Sequence, residues 1–177
     1  MSATGAVTKI RNCVYSMSNN KTLRILVLCT GNSCRSQMAE GFFRYYGGDC
    51  VEVHSAGLEP KGVNPIAIQV MYAAGIDIST HSSDHVSNYV GQSFDYVITV
   101  CNNAAAGCPV FPGAAAKLHW PFDDPAEAIG TDEYVLAKFS RVRDQIGIRI
   151  KVWLKGQGLT VPNGPDIGRW SRRVDRA

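Results

Sequence analysis

The chain has 177 residues, of which 45% are hydrophobic and 19% charged, so it is long enough for one domain with a substantial buried core. No apolar run approaches the roughly 18 residues of a membrane-spanning helix, and the first residues lack the apolar core of a signal peptide. The net charge of +3 comes from the two ends of the chain, without a basic stripe interleaved with aromatic residues. We therefore expect a cytoplasmic monomer with no membrane or nucleic-acid partner.

Strand-like and helix-like segments alternate along the chain. Residues 23–29 form a short apolar run bounded by polar residues, which predicts a buried strand, and residues 34–46 carry apolar side chains at helical spacing before a Gly-Gly stop. The same criteria predict further strands at residues 51–55, 96–100 and 117–120, and further helices at residues 64–74 and 132–154.

This alternation predicts an α/β domain: a small parallel sheet of four strands, flanked by helices on both faces. We place the domain at residues 22–157, between an N-terminal extension of residues 1–21 that we expect to be disordered and a Gly/Pro/Arg-rich tail of residues 158–177. Ligands of such sheets bind at the carboxyl ends of strands. Cys29 and Cys101 both stand where a predicted strand ends, so one site could contain both.

The segment between the first strand and the first helix has the features of an oxyanion site. A loop that turns directly into a helix leaves backbone N–H groups unpaired, and the helix dipole attracts an anion to them. Gly31 permits a tight backbone, and Arg35 offers a planar fork that can bind two oxygens of one anion. The same groups favour the thiolate of Cys29, which we predict to be the nucleophile. The anion-binding residues are predicted to be Thr30, Gly31, Asn32, Ser33, Cys34 and Arg35.

The chain resembles the arsenate reductases related to low-molecular-weight protein tyrosine phosphatases, from about residue 23 to residue 154. All cysteine-dependent phosphatases share the Cys-x5-Arg loop, but three further features make the resemblance specific. These are Ser36 directly after Arg35, the pair Cys101 and Cys108 with six residues between them, and the sequence Phe122-Asp123-Asp124-Pro125. The family's fold is a four-stranded parallel sheet with flanking helices, which agrees with the predicted strands.

The resemblance implies a relay of three thiols. Cys29 attacks arsenate, Cys101 attacks Cys29 and expels arsenite, and Cys108 attacks Cys101, so the enzyme ends with a Cys101–Cys108 disulfide. Two thiols that become a disulfide supply the two electrons that arsenate needs. The small residues 102–107 would refold and carry the oxidised pair outward. Thioredoxin is the implied electron donor, and glutaredoxin with glutathione, or a similar thiol system, is the alternative.

Other residues take roles from the same resemblance. Asp124 is implied as the general acid for the departing oxygen, since the family's acid precedes a proline in this loop, and Asp123 is the less favoured alternative. Ser36 can donate a hydrogen bond to the Cys29 sulfur. Cys34 is given a packing role and no redox role. No tightly bound cofactor is expected.

A cation site is suggested by positions that hold potassium in some of these reductases. Four oxygen-bearing side chains would suit a hard cation, and the alternative is a hydrogen-bond network that holds the loop in shape. The residues are Asn32, Glu40, Ser55 and Asp84.

Two other functions stay open at this point. A low-molecular-weight protein tyrosine phosphatase would need no second cysteine, and it usually has an aromatic residue where Ala126 follows Pro125 here. A reductase with this loop and acid should still show weak phosphatase activity. A sensor would bind an oxyanion or an oxidant without turnover. Six cysteines could also form a secreted disulfide framework, but a domain of this size does not need one.

Overall fold

The structure, a computed structural model, describes residues 21–111 and 116–162. Four parallel strands form one sheet in the order β2-β1-β3-β4. The strands are β1 (Leu23–Cys29), β2 (Val51–Gly57), β3 (Tyr96–Thr99) and β4 (Ala116–His119). The chain leaves β1 toward one edge of the sheet and later returns to its other side, so the carboxyl ends of β1 and β3 meet at a switch point where ligands bind in this kind of sheet.

Four α-helices connect the strands and complete the domain. They are α1 (Arg35–Gly47), α2 (Pro65–Ala73), α3 (Asn102–Ala106) and α4 (Asp132–Gly156). Local sequence explains where they begin. The Asn64 side chain accepts hydrogen bonds from the first turn of α2, where Pro65 suits the first helical position, and the Thr131 hydroxyl caps α4.

Both faces of the sheet are covered. Ile25, Leu26 and Val27 are adjacent in β1 and therefore point to alternating faces, yet each has 0% exposure. In β2, Ser55 bonds to Glu40 of α1 on one face. Its neighbour His54 packs against aromatic rings on the other face. The strands of a parallel sheet that is buried on both faces have continuous apolar runs in their sequence, as is found here.

The long helix α4 packs against α1 and α2 and closes the core. Phe43 of α1 stacks on Trp120, with ring centroids 6.3 Å apart, and meets Trp153 of α4 edge-on at 5.8 Å. Arg143 of α4 is only 2% exposed, but it donates a hydrogen bond of 2.8 Å to the Val70 carbonyl at the end of α2. The buried Arg143 side chain thus fixes α4 to α2.

The predicted fold class is confirmed, and the predicted strands and helices lie within two residues of their observed bounds. The structure adds α3 within residues 102–107 and three short 3₁₀ turns, of which Pro125–Glu127 bears on the site. The extension predicted to be disordered lies outside the described residues except for Lys21, and so does most of the predicted tail. Leu159 and Val161, in the first part of that tail, are buried against the core. Within residues 21–111 and 116–162, no helix has the length and hydropathy to cross a membrane.

Gly57, at the end of β2, allows the Cys29 loop to approach the sheet closely. A Cβ at this position would lie 2.7 Å from the Thr30 carbonyl oxygen and 2.8 Å from the Asn32 nitrogen, which are both backbone atoms. We predict that Gly57→Ala lowers the free energy of unfolding by about 2 kcal/mol, because the loop would have to shift. Urea denaturation measures this change.

Gly156→Ala, at the end of α4, is the matched control. Nothing lies within 4 Å of a Cβ built there, so this variant should be as stable as the wild type or slightly more stable. A Gly57→Ala variant that unfolds at the same urea concentration as Gly156→Ala would contradict the close approach of the loop.

Candidate active site

A cavity of about 450 Å³ opens at the carboxyl ends of β1 and β3. Its walls come from the loop after β1, from Cys101 and the start of α3 after β3, from the segment that carries Asp124, and from Lys61. The sheet topology therefore brings Cys29, Arg35, Cys101 and Asp124 to one cavity, as the sequence analysis expected. Cys108 and Ser36 do not line it.

The loop after β1 turns its carbonyl oxygens away from the cavity. Backbone N–H groups of residues 59–64 donate hydrogen bonds of 2.8 to 3.0 Å to the carbonyls of Thr30, Gly31 and Ser33. In a trans peptide the N–H of the next residue points the opposite way, so these N–H groups turn away from residues 59–64. Together with the N-terminus of α1 at Arg35, these N–H groups are the donors of the predicted oxyanion site, and anion binding by them stays a prediction.

Ser36 forms a hydrogen bond with the Cys29 sulfur, the contact that the sequence predicted between them. The Ser36 Oγ lies 2.9 Å from the Cys29 Sγ and accepts a hydrogen bond of 2.9 Å from the Asn32 Nδ2. Because the Ser36 oxygen already accepts from Asn32, its own proton is available to the sulfur. A hydrogen bond donated to a thiolate favours the charged form. Ser36 thus acts from within the buried first turn of α1, although it does not line the cavity.

Asn32 does not line the cavity, unlike the other residues predicted to bind the anion. Its side chain instead supports the loop from the protein interior. It is fully buried and adopts a φ of 42°, a left-handed conformation that asparagine tolerates better than most residues. Its Oδ1 accepts from the Asp84 N–H at 2.7 Å and from Gln37 Nε2 at 3.1 Å, and its Nδ2 also donates to Ser55 Oγ at 2.8 Å. All hydrogen-bonding positions of the Asn32 amide are therefore used.

The four residues suggested for potassium belong to this same network. Ser55 Oγ donates to Glu40 Oε2 at 2.6 Å, and Glu40 also pairs with Arg44. The Asn32 Oδ1 and the Glu40 Oε2 accept from N–H and O–H donors, so these residues form the hydrogen-bond network that was the alternative to a cation site. A potassium ion here stays a prediction, which a higher melting temperature in potassium than in sodium at equal ionic strength would support. In the described part of the chain, no cluster of three or more His, Cys, Asp or Glu suits a metal ion.

Arg35 and Asp124 pair with each other in this structure. The Arg35 guanidinium is 11% exposed, forms an ion pair with the Asp124 carboxylate and donates to the Phe122 carbonyl at 3.1 Å. The other Asp124 oxygen accepts from the Ala126 N–H at 3.1 Å. An oxyanion that binds this side of the Arg35 guanidinium would therefore compete with Asp124. Asp123 does not line the cavity, which favours Asp124 as the acid.

The thiols near the site differ in their surroundings. The Cys101 sulfur lies 3.4 Å from the Thr30 hydroxyl and accepts a hydrogen bond from the Ala104 N–H. Cys108, at the far end of α3, is half-buried, and burial raises the pKa of its thiol. Burial also raises the pKa of Cys34 to about 12, so this thiol is neutral at pH 7 and its predicted packing role is reasonable. The free thiols in the described part of the chain are Cys29, Cys34, Cys101 and Cys108.

Lys61 lines the cavity, although the sequence analysis gave it no role. Its N–H bonds to the Gly31 carbonyl at 2.9 Å, and its aliphatic carbons lie about 3.5 Å from the position of a Cβ on Gly31. No ion pair involves Lys61 within the described residues, whereas Arg35 is paired with Asp124. A lysine in the loop that follows β2 could have been noticed, because the loops at this end of a parallel sheet converge on the site.

We predict that Lys61→Gln weakens binding of an inorganic oxyanion by about 3- to 10-fold at low ionic strength, because one positive charge at the mouth is lost. Isothermal titration calorimetry with arsenate at low and high salt measures this change, and the difference should shrink at high salt. Lys155→Gln, near the end of α4, changes the net charge equally away from the cavity and serves as control. Equal affinities of the two variants at low salt would show that Lys61 does not act on the anion.

Comparisons with known proteins agree with this geometry. Residues 24–160 match the family model "Low molecular weight phosphotyrosine protein phosphatase". The arsenate reductase of Halalkalibacterium halodurans is 54% identical over 129 residues, which cover 73% of this chain and 93% of that protein. A solved arsenate reductase in the phosphate-binding state is 34% identical, with a TM-score of 0.61 and coverage of 76% and 98% of the two chains.

A thioredoxin-dependent arsenate reductase of Corynebacterium glutamicum is 27% identical, with a TM-score of 0.61, over 78% of this chain and 63% of that one. The family match spans most of the chain, and it includes both the cavity and the sheet that positions it. The chain therefore belongs to the low molecular weight phosphotyrosine protein phosphatase family, with relatives at about 50% identity that are arsenate reductases.

Proposed function

We propose that this chain is an arsenate reductase that forms arsenite by a relay of Cys29, Cys101 and Cys108 and is re-reduced by thioredoxin. The observation that carries the proposal is the second thiol: Cys101 lines the cavity that holds Cys29 and Arg35. An ester hydrolase would need only one thiol in this cavity. The similarity to arsenate reductases supports the same reaction.

In the first step, arsenate binds to the loop N–H groups and takes the place of Asp124 on Arg35. The Cys29 thiolate then attacks arsenic, and one arsenate oxygen leaves as water. Asp124, once released from Arg35, lines the same cavity, where it can take up a proton from water and pass it to a hydroxyl oxygen of the arsenate, which then leaves as water. The Ser36 hydroxyl stabilises Cys29 before the attack.

In the second step, Cys101 attacks the Cys29 sulfur. An S–S bond forms, the S–As bond breaks, and its electron pair stays on arsenic, which leaves as arsenite. The Thr30 hydroxyl and the Ala104 N–H, each 3.4 Å from the Cys101 sulfur, can both donate to it and hold it in position for this attack.

In the third step, Cys108 attacks the Cys101 sulfur and releases the Cys29 thiolate. Residues seven apart in a continuous helix have Cα atoms roughly 10 Å apart, whereas a disulfide requires about 4.4 to 6.8 Å. Residues 102–106, between the two cysteines, form α3, and we infer that α3 unwinds when this disulfide forms. The burial that raises the pKa of Cys108 keeps it a thiol until that happens.

Thioredoxin is proposed as the donor because an exposed Cys101–Cys108 disulfide would suit a protein dithiol. The C. glutamicum structural relative is thioredoxin-dependent, which supports this choice. Glutaredoxin with glutathione is the alternative. Weak phosphatase activity belongs to the proposal too, since Cys29, Arg35 and Asp124 suffice for attack on a phosphate ester. Ala126 in the cavity wall offers no ring to stack on a phenyl group, so a small inorganic anion is the better substrate.

The deciding experiment measures arsenate-dependent NADPH oxidation with thioredoxin and thioredoxin reductase. We predict that Cys29→Ser, Cys101→Ser and Cys108→Ser each abolish steady turnover. Cys108→Ser should still release one equivalent of arsenite, because Cys29 and Cys101 can form a disulfide, whereas Cys101→Ser should release none. Cys101→Ser should keep any activity toward an aryl phosphate.

Cys34→Ser is the matched control, since Cys34 lies in the same loop and its thiol is neutral. It should retain turnover within a few-fold of the wild type. Full turnover by Cys101→Ser would overturn the relay. A wild type that is active only with glutathione and glutaredoxin would overturn the donor alone, and arsenite in excess of one equivalent per protein would exclude a non-catalytic sensor.

A further inference from the structure

A histidine at the end of β4 is hydrogen-bonded to the beginning of α3. His119 Nε2 lies 3.1 Å from the Oδ1 of Asn102, the first residue of α3, and His119 Nδ1 lies 2.9 Å from the Thr99 hydroxyl at the end of β3. Asn102 directly follows Cys101. The His119 ring thus links the sheet to the residue next to the second thiol of the site.

The partners of His119 determine how its ring donates and accepts. An amide oxygen can only accept, so the Nε2–H donates to Asn102 Oδ1 and Nδ1 is left as an acceptor. The Thr99 Oγ1 is closer to that nitrogen than to its other partner, the Leu118 carbonyl at 3.4 Å, so its proton goes to His119. Both ring nitrogens of His119 are therefore hydrogen-bonded.

The stability of α3 depends on contacts of this kind. A helix of five residues is far too short to be stable by itself in water. The contacts that hold it are the Cys101 sulfur, which accepts the Ala104 N–H, the burial of Ala104 to 1% exposure, and the bond from His119 to Asn102. Each of these contacts is made when residues 102–106 are helical.

We propose that His119 is a positioning residue that favours the dithiol form of the Cys101–Cys108 pair by fastening the first turn of α3 through Asn102. The inference rests on the proposed relay. Because the disulfide requires α3 to unwind, any contact made only by the wound helix stabilises the dithiol relative to the disulfide. Loss of the His119 contact shifts the equilibrium toward the disulfide, which becomes harder for the donor to reduce. The reaction is unchanged: two thiols lose two electrons and two protons as one S–S bond forms.

Both side chains are exposed, so their replacement leaves the core intact. The pair is equilibrated with reduced and oxidised dithiothreitol in Cys29→Ser protein, and the fraction of Cys101–Cys108 disulfide is counted by mass spectrometry after alkylation. His119→Ala should shift the equilibrium toward the disulfide by about 2- to 10-fold, the range of one hydrogen bond. His119→Gln can still donate an N–H toward Asn102, and it should recover part of the shift.

Asn103→Ala is the matched control for Asn102→Ala. Both variants change asparagine to alanine in α3, so the gain in helix propensity is shared. Only Asn102→Ala removes the partner of His119. Asn102→Ala should therefore lie further toward the disulfide than Asn103→Ala. The dithiol–disulfide equilibrium of the double variant His119→Ala/Asn102→Ala should differ from that of the more strongly shifted single variant by no more than the effect of alanine's higher helix propensity. In the reduced protein, residues 102–107 should exchange amide hydrogens faster in His119→Ala than in the wild type.

Equal equilibria for His119→Ala and the wild type would overturn this inference and leave the relay standing. So would equal equilibria for Asn102→Ala and Asn103→Ala. A reference protein that forms no Cys101–Cys108 disulfide at any ratio of the two dithiothreitol forms would overturn the relay, and this inference with it.

Discussion

The candidate active site depends on the side-chain amide of Asn32, which is buried beneath the loop after β1. Asn32 donates one N–H to Ser36 and the other to Ser55, and its oxygen accepts from Gln37 and from the Asp84 backbone. These bonds hold its backbone at a φ of 42°. Asn32 also bonds to Ser36, whose Oγ lies 2.9 Å from the Cys29 sulfur. One buried residue thus connects the shape of the loop with the position of the Ser36 hydroxyl beside Cys29.

The pairing of Arg35 with Asp124 adds a second constraint at the front of the loop. An ion pair that is mostly removed from water is costly to break unless the new partner of each charge is at least as good. A tetrahedral oxyanion meets this condition for Arg35, since it can accept two parallel N–H bonds while it also binds the loop N–H groups. A neutral ligand does not. In the proposed mechanism, binding of the anion to Arg35 would therefore release Asp124, and the acid would become available only when a substrate is present.

Much of this architecture was predictable because burial leaves a direct mark on sequence. The runs at β1 and β3 are apolar on both faces, and their ends place Cys29 and Cys101 at one edge of the sheet. Other features have no such mark. Helix α3 has five residues, too few for a helical period, and it depends on tertiary contacts. The order of the elements sends the loop of Lys61 toward the site, but the backbone bond from Lys61 to Gly31 is a contact that spacing does not reveal.

Predictions about the loop itself show the same limit. Sequence position places Asn32 among the anion-binding residues and groups it with Glu40 and Ser55 as cation ligands. The structure brings these residues together, but only the direction of each hydrogen bond shows that their oxygens face donors. Spacing can predict that polar groups meet. It does not determine which atom of each group faces which partner.

The position of the third thiol explains how one cavity could serve a reduction without oxidising itself too early. Cys29 and Cys101 share the cavity, whereas Cys108 lies beyond α3 with a raised pKa and a Pro109 carbonyl as its hydrogen-bond acceptor. If Cys108 were equally close to Cys101, the pair could oxidise without arsenate, and the protein would consume reductant to no effect. In the proposed relay, α3 separates the second and third thiols until Cys101 has reacted. On that proposal, the equilibrium between the helical and unwound states of α3 sets both the protection of the dithiol and the ease of its final oxidation, and the contacts at Asn102 act on that equilibrium.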